Sequence, residues 1–184
     1  MSIHDIIQRV TQGNSDTQIL DLRNLASLEV QQITSIVEAI IESKNSSITS
    51  IALDELDICD DGAKELARLG HVKHLSLSDG KITAEGAEYL SKMLFLETLD
   101  LSGNNIGDKG LKAILENQSI QKLYLASCGL TDKSALSILD NNHLIEIVLY
   151  NNKISLDLLS KIQEHLEKNQ RVLKPKNSAT MGKF

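Results

Sequence analysis

Apolar residues return in this chain at a fixed step of 24. The segment from Leu96 to Ile106 places them at Leu96, Leu99, Leu101 and Ile106. The frame is present upstream with Ile48, Ile51, Leu53 and Ile58, and with Val72, Leu75, Leu77 and Ile82. Downstream it continues with Ile120, Leu123, Leu125 and Leu130, and with Leu144, Ile147, Leu149 and Ile154. Self-similarity at this period means stacked copies of one small unit, because a single unit cannot bury its own apolar face. Leu20 and Leu22 begin a longer opening copy, 31 residues before Ile51 and Leu53. A further step from Leu149 lands on Leu173, so Arg171-Val172-Leu173-Lys174 reads as a truncated closing strand.

Each unit divides in two. Leu99 and Leu101, two positions apart, share one face of a short strand. Ala63, Leu66 and Ala67, then Ala87 and Leu90, then Leu111, Ile114 and Leu115 follow the spacing of a helix face. Just before these helices, Thr83, Thr131 and Ser155 occupy one repeat position, where a side-chain oxygen caps free amides. Asp60, Asp108 and Asp132 come next, at the positive end of the helix dipole. Stacking therefore gives a parallel sheet inside and helices outside. Ile3, Ile6, Ile7 and Val10 form an amphipathic helix, so residues 1–15 read as an N-terminal helical cap. Ile33, Ile36, Val37, Ile40 and Ile41 make the longer helix behind the 31-residue step, while Leu158, Leu159, Ile162 and Leu166 mark a last helix. The basic stretch from Lys168 to Lys176 shields the exposed sheet edge. The array covers residues 16–174, about six repeats plus the closing strand, and residues 175–184 read as a flexible tail.

This frame resembles the leucine-rich repeat family, whose pattern is L-x-x-L-x-L-x-x-N/C-x-L. The ninth position holds Asn104, Cys128 and Asn152, whereas Leu56 and Gly80 interrupt that ladder in the first half. The run Gly107-Asp108-Lys109-Gly110-Leu111-Lys112-Ala113-Ile114-Leu115 is similar to the second half of a ribonuclease-inhibitor-like repeat. The resemblance implies a right-handed α/β leucine-rich-repeat solenoid, with a curved parallel sheet on the concave side and helices on the convex side. It does not fix the function, since one fold serves many.

Composition excludes several classes. With 184 residues, 41% apolar and 24% charged, the chain is ordinary for a soluble protein. Its formal charge of -6 opposes phosphate backbones, so no nucleic-acid partner is expected. No run approaches the roughly 18 consecutive apolar residues of a membrane span. The opening Met1-Ser2-Ile3-His4-Asp5 lacks the basic end and apolar core of a signal peptide. A cytoplasmic setting is expected, in which Cys59 and Cys128 remain thiols. The abundance of Ile, Lys, Asn and Ser and the polar tail also resemble repeat effectors of intracellular bacterial pathogens. That resemblance implies an alternative, secretion by a specialised bacterial system into a host cell.

Catalytic and metal chemistry find little support. His71 and His143 occupy the repeat position of Phe95 and Ser119, so they are interchangeable with residues that bind nothing. His71-x-x-His74 has no glutamate between its histidines and straddles a turn instead of lying on one helical face. Asp57 to Gly62 imitates the start of a calcium loop, but Cys59 stands at its third place and Arg68 at its twelfth. Cys128 fills a buried ladder position, and Cys59 lies three units away, roughly 14 Å at sheet spacing, too far for a bond. Neither sits beside an oriented base, and no nucleophile elbow, phosphate loop or dinucleotide fingerprint is present. No enzyme activity, metal or cofactor is expected.

What remains is a surface. Residues flanking the buried leucines face outward and align into columns. One column reads Asp21, Ala52, Ser76, Asp100, Tyr124, Val148, Val172. A second reads Arg23, Asp54, Ser78, Ser102, Ala126, Tyr150, Lys174, and a third Ile19, Ser50, His74, Thr98, Lys122, Glu146. Two of the chain's three tyrosines fall here, beside Val148 and Val172, and aromatic residues ringed by polar groups anchor interfaces. The expected binding set is Tyr124, Val148 and Tyr150 with Lys122, Glu146, Asp100, His74 and Val172. The expected function is recognition of another protein through the concave face, the chain acting as a monomer; the alternative is a self-associating scaffold.

Overall fold

Three residues of strand per unit suffice to stack the array, and the strands follow one another in sequence order. The computed structural model describes residues 2–12, 18–43 and 47–173. Helix α1 (Ile3–Thr11) precedes β1 (Ile19–Asp21) and the long α2 (Val30–Glu42). Four units follow: β2 (Ser50–Ala52) with α3 (Cys59–Leu66), β3 (His74–Ser76) with α4 (Ala84–Leu90), β4 (Thr98–Asp100) with α5 (Gly107–Leu115), and β5 (Lys122–Tyr124) with α6 (Asp132–Ala135). A 3₁₀ turn over Leu136–Asp140 extends α6, and β6 (Glu146–Val148) and α7 (Leu156–Leu173) complete the order. Among the described residues the strands form one parallel sheet, β1 to β6. The repeat frame reads the register correctly, since Ile51, Leu75, Leu99, Leu123 and Ile147 pair across the sheet.

The strands are short because the chain turns out of them at a fixed place. Glu55, Asp79, Gly103, Ser127 and Asn151, one repeat apart, all adopt left-handed backbone with φ of 63, 53, 74, 57 and 56°. At Gly103 a Cβ would run into the Asp79 carboxylate, which would have to swing aside. Such a turn strands buried backbone groups that a neighbouring unit must pair. Asn104 donates through Nδ2 to Leu77 O at 2.8 Å and Leu101 O at 2.9 Å, while its Oδ1 accepts from Ile82 N at 2.8 Å. Asn152 bonds Leu125 O at 2.7 Å and Leu149 O at 3.0 Å, and accepts from Cys128 N and Leu130 N. Between them the Cys128 thiol reaches back to Leu101 O at 3.1 Å.

Two further sets of contacts tie unit to unit. Thr83 and Thr131 cap α4 and α6, as their repeat position suggests. Asp60 does more than face a dipole, for its carboxylate accepts from Thr83 N at 2.8 Å, Thr83 Oγ1 at 2.6 Å and Gly86 N at 2.9 Å in the following unit. Asp108 does the same for Thr131 N, Thr131 Oγ1 and Ser134 Oγ, and Asp132 for Ser155 N. Burial pushes the Asp108 carboxyl up, but the bonds from Ser134 and Thr131 outweigh it and hold it below the ordinary carboxylate value. Where Ala84 takes the aspartate position, the next unit opens with Gly107 instead of a hydroxyl residue. On the opposite edge Asn117 bonds Ser91 O and Met93 O, and Asn141 accepts from His143 N and Leu144 N.

The ends differ from one another. Ser2 and Asp5 form a capping box on α1, whose Ile6 and Val10 are buried. At the other end the expected closing strand is absent, since residues 171–173, Val172 included, belong to α7. Leu158, Ile162, Leu166 and Asn169 keep a buried helical stripe to the end of that helix. Side chains take over the pairing a strand would give. Along the sheet, Thr49 O, Lys73 O, Glu97 O and Gln121 O each accept two successive N–H groups of the next unit. At the same register Ile145 O accepts Gln170 Nε2 at 2.6 Å, while Asn169 Nδ2 donates to Leu144 O and Asn141 O. The amides that meet this edge, Asn169 and Gln170, lie within the basic stretch, whose last residues, like the tail read over 175–184, lie outside the described residues.

Asn104→Ala leaves Leu77 O and Ile82 N unpaired in the core and is expected to cost about 3 kcal/mol. A urea midpoint falling accordingly, against little change for exposed Asn142→Ala, is the outcome to look for; equal midpoints would show that the ladder holds nothing.

Candidate functional site

The outward columns on the strands form the concave face, and its two halves differ. In the first half the charged groups satisfy one another. Arg23 grips Asp21 with Nε at 2.9 Å and Nη2 at 2.6 Å, which brings the Asp21 carboxyl down to about 2. Asp54 accepts from Ser76 Oγ at 2.5 Å, Ser78 N at 2.9 Å and Ser78 Oγ at 3.0 Å, with Arg23 Nε 4.0 Å away. Asp54 thereby ties its unit to the next, while Asp21 is held by Arg23 of its own unit.

The second half carries the large side chains. Register places Tyr124 of β5 between Asp100 of β4 and Val148 of β6. The Tyr124 hydroxyl donates to Glu146 Oε1 at 2.7 Å, and Lys122 Nζ stands 3.5 Å from Glu146 Oε2. Glu146 is thus held from two sides, one contact lying diagonally across the strand pair. The bond to Glu146, and then burial, push the Tyr124 phenol up to about 12. Val148 is half-buried beside it, and Tyr150, just beyond β6, is 68% exposed. Asn151 Nδ2 bonds Ser127 Oγ at 2.8 Å and ties down the adjoining turn.

Of the residues expected to act together, the structure assembles Tyr124, Lys122, Glu146 and Val148, with Tyr150 on the C-terminal side and Asp100 one strand away. His74 lies on β3, two strands from Lys122, outside this cluster. Val172 is removed from the column altogether, because it sits on α7 with 81% exposure. The diagonal bond from Tyr124 to Glu146 escapes a reading by columns, which compares only residues one full step apart. A tyrosine and a glutamate offset by 22 residues carry the signal.

Burial pushes the Cys128 thiol up to about 12, so it is neither thiolate nor accessible at neutral pH. Among the described residues no three His, Cys, Asp or Glu side chains are grouped to hold a metal ion. No helix among them is long and apolar enough to cross a membrane.

Three consecutive stretches, residues 71–91, 92–115 and 116–139, match the model of a family described as leucine rich repeat. No curated protein matches the chain significantly. Among solved structures it is similar to the tropomodulin C-terminal domain from Caenorhabditis elegans, at 17% identity and a TM-score of 0.53, covering 94% of this chain and 96% of that one. It is also similar to actin-binding site 2 of leiomodin-1, at 15% identity and 0.55, covering 94% and 93%. An internalin from Listeria monocytogenes aligns at 16% identity and 0.60 over 82% of this chain and 46% of its own. At these identities the likeness is one of fold.

An ultraviolet pH titration is expected to show one tyrosine ionising at about 12, and Glu146→Gln to bring it back towards 10.0. Because the folded value is the raised one, the bond stabilises the fold below pH 10.0 and is lost as pH rises through about 12. A phenol unmoved by Glu146→Gln would break the assignment.

Proposed function

This chain is a leucine-rich-repeat protein, and from that premise we propose that it is a non-catalytic recognition module holding a partner protein against the C-terminal half of its concave face. The carrying observation is the cluster of Tyr124, Glu146 and Lys122 beside exposed Tyr150. Its polar members fix one another, so little side-chain freedom remains to be lost on binding. Tyr150 and Val148 supply the apolar contact at its centre, and Asp100 and Lys122 the rim. A similar structure described as an actin-binding site supports binding as a role of this architecture. The ribonuclease-inhibitor-like type of repeat belongs to the same proposal, on the run from Gly107 to Leu115. The compartment proposed is the cytoplasm, or a host cell's if the compositional resemblance to bacterial effectors holds.

The test is affinity capture with mass-spectrometric identification, followed by direct titration of the captured protein. Wild type is compared with Tyr150→Ala and with Tyr124→Ala/Tyr150→Ala, each checked for folding. A protein whose affinity drops about tenfold or more on Tyr150→Ala is expected. Equal affinity for all three would move the site off this face, and capture of the chain's own copies alone would favour a scaffold.

A further inference from the structure

Repetition supplies an internal control on what each surface position needs for folding. At the turn from helix into strand, four units carry Gly70-His71, Leu94-Phe95, Gln118-Ser119 and Asn142-His143 at the same two positions. The first of each pair is exposed in all four, and three units fill it with Gly, Gln or Asn, so the fold makes no apolar demand there. The second is half-buried in three units, but Phe95 is 64% exposed and Leu94 beside it 76%. Phe95 is also one of only two phenylalanines in the chain. The turn that presents them is fixed, because Met93 and Leu96 are buried and their carbonyls accept from Asn117 Nδ2 and Ser119 Oγ of the next unit.

Charge says what kind of group fits. Leu94 lines a groove between α4 and α5 with Lys92, Lys109 and Lys112 and with Glu88 and Glu116. Lys92 is drawn to Glu88 at 3.7 Å and to the Tyr89 ring. Among the described residues, no ion pair involves Lys109 or Lys112. With Glu88 taken up by Lys92, Lys109 and Lys112 outnumber Glu116 and leave the groove at Leu94 net positive, on a chain whose formal charge is -6. An anionic membrane would attract these lysines but repel the rest of the molecule. A short protein segment meets only the local charge.

We propose that Leu94 and Phe95, with Lys109 and Lys112, form a second docking surface for a partner segment that sets apolar side chains beside aspartate or glutamate. It lies at the N-terminal ends of the strands, whereas Tyr150 lies beyond their C-terminal ends, so the two surfaces are separately occupied.

The test selects short random peptides displayed on phage against the full chain, then measures the affinities of those recovered. Leu94→Gln/Phe95→Ser installs the residues of the following unit and preserves folding; Lys109→Gln/Lys112→Gln removes the charge alone. Recovered peptides are expected to combine Leu, Ile or Phe with Asp or Glu, to lose about tenfold in affinity on either variant, and to bind Tyr150→Ala unchanged. Peptides indifferent to both variants, or rich in lysine, would overturn the proposal. So would a dimer in sedimentation that Leu94→Gln/Phe95→Ser dissolves, which would make a second copy the occupant. Variant-sensitive binding to vesicles of phosphatidylcholine and phosphatidylserine would overturn it in favour of a lipid surface.

Discussion

A strand of three residues that ends in a left-handed turn leaves amides and carbonyls in the interior with no partner in their own unit. In a low-dielectric core each such group costs on the order of 1–3 kcal/mol if unpaired. Asn104 and Asn152 meet this demand from the following unit, Asp60 and Asp108 meet it at helix starts from the preceding one, and Gln170 meets it at the end of the stack. Stacking is therefore demanded by hydrogen bonding as much as by apolar burial. The concave face inherits its fixed geometry from these bonds, because each strand is pinned at both ends by its neighbour.

The two halves of that face show the same side-chain types used for different ends. Asp21 is consumed by Arg23 of its own unit, and Asp54 by Ser76 and Ser78, contacts that join one unit to the next. Glu146 is also consumed, yet what it holds is an aromatic ring at the surface. A carboxylate that braces a tyrosine prepares a contact for another molecule, whereas one that braces a backbone amide prepares only the fold.

Much of this is legible in the sequence because apolar spacing reports directly on which residues face inward. The pairing of Leu75 with Leu99 and of Leu99 with Leu123, the Thr83 and Thr131 caps, and the buried ladder all follow from the frame. Polar contacts between units are less visible, since an aspartate at a helix start has two possible audiences, its own amides or those of the next unit. Asp60 answers the second. Val172 fails for another reason: adding one step assumes a further unit to pair with, whereas Asn169 and Gln170 can end the sheet from a helix. The diagonal from Tyr124 to Glu146 depends on side-chain reach, which periodicity does not encode.

The joints between units also constrain how such an array lengthens by duplication. Each joint matches an outgoing residue to an incoming one: Asp60 to Thr83, Ala84 to Gly107, Asp108 to Thr131, Asp132 to Ser155. Copying the unit of Thr83 and Ala84 would set Ala84 against a hydroxyl, and copying that of Gly107 and Asp108 would set a carboxylate against glycine. The unit of Thr131 and Asp132 complements itself, as does the pair running from Thr83 to Asp108. By the same matching, tandem duplication keeps the joints through that unit, that pair or the three units from Thr83 to Asp132, whereas copying the Thr83 or the Gly107 unit alone calls for a second change at the joint.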